Sequence, residues 1–94
     1  MFASTENKGF QMGFQNGWII SVQFGYGNYC DNGHHPDGWN FAEKQPITTS
    51  SDAEIAIWST TIKNEWYTFE NGDTVLGHQT PDQVAEWIDK VSKF

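Results

Sequence analysis

The chain has 94 residues, 37% of them hydrophobic and 16% aromatic, with 12 acidic and 5 basic residues and a formal net charge of −7. That length is one domain's worth of chain, and the aromatic content, five Trp, seven Phe and three Tyr, is enough to close a small core and exclude a disordered polymer. All five basic residues are lysines; without arginine, and with an acidic surface, direct binding to nucleic acid or to an anionic membrane is not expected.

In chain order, the stretch 1–9 carries no periodic pattern and reads as a flexible start. It lacks the apolar core of a signal peptide, and no later run approaches transmembrane length. With Cys30 as the only cysteine, a reducing compartment is expected, and hence a cytoplasmic protein.

Phe10, Met12 and Phe14 alternate with Gln11 and Gly13, and Trp18, Ile20, Val22 and Phe24 alternate with Ile19, Ser21 and Gln23. Between the two runs sits Asn16-Gly17, a pair that tolerates the positive φ of a tight turn. Together they predict a hairpin. The segment 25–52 breaks the pattern with Gly25, Gly27, Gly33, Pro36, Gly38, Pro46 and the polar run Thr48-Thr49-Ser50-Ser51-Asp52, and reads as a long loop.

Ala53-Glu54-Ile55-Ala56-Ile57-Trp58 predicts a third strand, with Ile55 and Ile57 inward, and Trp66-Tyr67-Thr68-Phe69 a fourth strand antiparallel to it. Asn71-Gly72-Asp73 turns into a short Thr74-Val75-Leu76 segment that Gly77 should end. A helix is predicted over 81–93: Thr80 caps it, Pro81 suits its first position and Gln83 completes a capping box. Val84, Trp87, Ile88 and Val91 form one apolar stripe. The expected fold is therefore a single α+β domain over 1–94. Its small antiparallel sheet has four to five strands in two hairpins, and the C-terminal amphipathic helix covers one face.

Chemistry is harder to find. Gly25-Tyr26-Gly27 follows a strand, but the third glycine and the helix start of a dinucleotide-binding loop are missing. Cys30, Asp31, His34, His35 and Asp37 are dense in metal-ligand types, yet their spacing fits no common zinc pattern, so neither a metal nor another cofactor is expected. Cys30 as a nucleophile would need His34, His35 or His78 beside it; a small buried thiol is the simpler reading, and no enzyme is expected. The loop's Tyr26, Tyr29, Trp39 and Phe41, set among Asn28, Asp31, His34 and His35, have the composition of a protein-binding surface. The same aromatics could equally pack the loop onto the sheet.

Three regions in order resemble small uncharacterised proteins of tailed bacteriophages. They are Phe14-Gln15-Asn16-Gly17-Trp18-Ile19-Ile20-Ser21-Val22-Gln23-Phe24-Gly25 leading to Asn28-Tyr29-Cys30-Asp31-Asn32, then Ala53-Glu54-Ile55-Ala56-Ile57-Trp58, then Gly72-Asp73-Thr74-Val75-Leu76-Gly77-His78-Gln79-Thr80-Pro81. The resemblance implies a phage origin and action in the cytoplasm of the bacterial host. It implies no activity. The expected function is non-enzymatic binding of a host or phage protein, with inhibition of a host defence or metabolic protein as one form. A second expectation is a binder of a small nucleotide-like ligand stacked on Tyr26 and Trp39, and a small enzyme ranks last. A homo-oligomer is compatible with either of the first two.

Overall fold

The computed structural model describes residues 1–33 and 47–94. Five antiparallel strands form one meander, β1 (Phe2–Ser4), β2 (Gly9–Gly13), β3 (Trp18–Gln23), β4 (Ala53–Ser59) and β5 (Val75–Gln79), followed by helix α1 (Pro81–Ser92). Strand order in the sheet equals chain order. The helix lies across β3 and β4, and the fold is α+β.

The hairpin around Asn16-Gly17 forms as the alternation requires, with Phe10 opposite Val22 and Met12 opposite Ile20. Gly17 takes φ +86°, which a side chain would resist. Asn16 adds a tie that its turn chemistry does not foretell: its Nδ2 donates to the carbonyl of Val91 at 2.8 Å, joining the hairpin tip to the end of α1.

On the helix side, Ile20 and Val22 of β3 face Ile57 and Ile55 of β4 in register. Ile20, Ile55 and Ile57 have no exposed surface, and neither has Val91 of the helix. Each such side chain contributes roughly 1.5–3 kcal/mol through removal from water. The helix begins with the capping box, Thr80 Oγ1 accepting from Gln83 N–H and Gln83 Oε1 accepting from Thr80 N–H. Val84 and Val91 of the stripe are buried, whereas Trp87 and Ile88 are half-buried at the margin of the core. Trp87 meets Phe69 and Tyr67 edge to face at 5.1 and 5.7 Å, and its indole N–H donates to Gln79.

Three boundaries differ from expectation. First, the start of the chain is paired: Phe2–Ser4 aligns with Phe10, Gln11 and Met12, and Glu6 and Asn7 make the turn at positive φ. Three residues are too few to show a period. Second, residues 66–69 form no strand. Trp66 makes a single bridge to Trp58, and Tyr67 donates its N–H to Ile57. The chain then turns through residues 69–73, Phe69 entering the core, and returns to the same edge of β4 as β5. One edge of β4 is thus shared between two short partners. Third, β5 does not stop at Gly77 but runs to Gln79, with a register shift opposite residues 53–55 and His78 at φ +53°.

Candidate functional site

Beyond β3 the chain coils into a compact knot over residues 25–33. Gly27 N–H donates to the carbonyl of Gly33, closing the loop, while Gly25 N–H donates to Asn28 Oδ1 and Asn32 Nδ2 to the carbonyl of Phe24. Gly27 turns at φ +91°. Tyr26 and Cys30 face inward and are buried.

This knot is fastened to the sheet by carboxylates rather than by apolar packing alone. Glu54, on the strand face opposite the helix, accepts the N–H of Tyr29 at 2.7 Å and the side-chain amide of Asn28 at 3.4 Å. Asp52, just before β4, accepts the N–H of Asp31 at 2.7 Å. On β5, His78 N–H donates to the carbonyl of Tyr29 at 2.9 Å. A β-carbon on Gly77 would sit 2.8 Å from that of Tyr29, so only glycine lets the loop lie this close.

The result is a small polar centre. His78 Nδ1 lies 3.0 Å from Asp52 Oδ2 and 3.6 Å from Asp31 Oδ1. Asp31 Oδ2 accepts the Ser51 hydroxyl. The N–H of Asp31 and the His78 imidazole hold the Asp52 carboxyl below its usual pKa. One oxygen from each carboxylate and the imidazole nitrogen lie within 4.8 Å of one another. Asp31 and His78 also border a hollow of about 390 Å³ that Tyr29 and Cys30 help to line. Tyr29, on the rim of this hollow's lining, is 68% exposed.

Of the residues singled out in the sequence, the structure brings Asn28, Tyr29 and Asp31 together here. It places Tyr26 in the packed interior of the loop. His34, His35, Trp39 and Phe41 lie outside the described residues, as does Asp37. Cys30 is buried, and loss of solvation is the largest influence on its thiol, raising the pKa and keeping it protonated. Three members of the site were not among the expected ones: Asp52, Glu54 and His78.

The chain matches no family model, and no curated protein or solved structure is significantly similar to it. Among the described residues no helix is long and apolar enough to cross a membrane.

Proposed function

We propose that the chain is a non-enzymatic binding protein that docks onto another protein through the ridge bearing Tyr29. One observation carries this reading: an exposed aromatic ring stands on a backbone held from both sides, by Glu54 at its N–H and by His78 at its carbonyl. An aromatic anchor gains most when its position needs no ordering at the moment of binding. Asp31, more than half exposed beside it, and the net charge of −7 favour a partner with a basic face. With a phage origin, as the resemblance implies, that partner is a host or phage protein. The nucleotide-like alternative relied on Tyr26 and Trp39 as stacking surfaces; Tyr26 is only 8% exposed and offers little of one, and Trp39 lies outside the described residues.

The test is recovery of a stoichiometric protein from bacterial lysate by the tagged chain, compared with Tyr29→Ala and Trp66→Ala. Tyr29→Ala is expected to weaken the recovered complex by at least about 1–2 kcal/mol. Trp66→Ala, which alters the exposed tryptophan at the far end of the same sheet face, should leave it intact. Equal binding by Tyr29→Ala, or loss only with Trp66→Ala, contradicts the proposal.

A further inference from the structure

We infer that Asp31, Asp52 and His78 form a binding site for a divalent first-row transition-metal cation. The three side chains come from separate parts of the chain, a loop, the residue before β4 and the register shift of β5, and they converge on one point. Two ligand atoms bound to one such ion at about 2.1 Å each can lie up to about 4.2 Å apart. His78 Nδ1 satisfies that limit toward both carboxylates, at 3.0 and 3.6 Å. All three atoms fall within 4.8 Å, so a small closing motion of the exposed Asp31 completes the set.

The chemistry of the donors selects the ion. Two carboxylates supply charge for a hard or borderline cation, Mn²⁺ included, while the imidazole nitrogen favours Zn²⁺ or Fe²⁺ over Mg²⁺, which prefers oxygen. The remaining carboxylate oxygens are already oriented, Asp31 Oδ2 by the Ser51 hydroxyl and Asp52 Oδ1 by the Asp31 N–H. Metal sites commonly hold their ligands in this way. The adjoining hollow leaves room for water on the open side of the ion. A cation here takes the place of the hydrogen between Nδ1 and Oδ2 and ties the loop, β4 and β5 through one atom. The site goes beyond the Tyr29 reading and stands on these three side chains whatever Tyr29 contacts.

Titration of the 94-residue chain with Zn²⁺, Mn²⁺ and Mg²⁺, followed by calorimetry and amide NMR, tests this. Zn²⁺ and Mn²⁺ should bind saturably, one per chain, at micromolar concentration, with Mn²⁺ broadening the amides of Tyr29, Asp31, Gly77 and His78 first. Mg²⁺ should bind far more weakly. His78→Ala, His78→Gln and Asp52→Asn should each lower the affinity at least about tenfold. Asp73→Asn and the double change His34→Ala with His35→Ala should not. The inference is overturned by absence of saturable binding at millimolar metal, by equal binding of Mg²⁺, or by loss confined to the His34 and His35 variant. The Mn²⁺ broadening on the unaltered chain keeps the test valid even if a variant folds poorly.

Discussion

The two faces of the sheet are closed by different physics. On one face α1 covers Ile20, Ile55 and Ile57, and the helix stripe excludes water without needing any one hydrogen bond. At the far end of the other, the knot of residues 25–33 is held by directional contacts from Glu54, Asp52 and His78. Apolar burial tolerates small shifts and gives stability. Charge-assisted bonds fix positions, and they leave the side chains outside the knot free to meet a partner. Stability and recognition are therefore expected to separate by mutation.

The largest effect should come from the covered face. Ile57→Ala empties a site with no exposed surface and is expected to cost about 2–5 kcal/mol in chemical denaturation. That is a large share of a small domain's stability. Little change would mean that the helix does not seal the sheet.

Trp87→Ala should cost less, roughly 2–3 kcal/mol, because the ring is half-buried, which puts it at or below the low end for truncating a buried aromatic. It loses the edge contacts to Phe69 and Tyr67 and the hydrogen bond to Gln79. A loss equal to that of the best-buried core positions would show the helix to be more deeply seated than the structure has it.

A smaller effect belongs to the polar face and depends on pH. The Asp52 carboxyl is held below its usual pKa in the folded, metal-free chain, chiefly by the Asp31 N–H. Its contribution is whole above the ordinary carboxylate pKa of about 4 and fades as pH falls below that, through its own lower value. Asp52→Asn should therefore flatten part of the acid side of the stability curve while leaving neutral-pH unfolding cooperative. An unchanged acid limb would remove Asp52 from the account.

This division also explains what could be read from the amino-acid sequence. The β2–β3 hairpin and α1 were legible because their signals are local: period two on either side of Asn16-Gly17, and a capping box followed by a stripe. Strand β5 runs past Gly77, where composition alone predicts its end, because that glycine answers to Tyr29, nearly fifty positions away. Residues 66–69 have strand-like composition, but the edge of β4 has room for only a short pairing there before β5 takes it over. The candidate site was half legible. Asn28, Tyr29 and Asp31 stood out in an aromatic, polar loop, while Glu54, Asp52 and His78 act on it only after the sheet has formed, and no spacing along the chain records that.

The central claim is that the Tyr29 ridge is held by carboxylates and not merely folded over the sheet. Hydrogen exchange of the Tyr29 and His78 amides, in the unaltered chain and in Glu54→Ala, tests it most directly. Both amides should be protected at neutral pH, and Glu54→Ala should strip protection from Tyr29 while core amides such as those of Ile20 and Ile57 stay protected. Rapid exchange of Tyr29 in the unaltered chain, or protection indifferent to Glu54, would contradict the account.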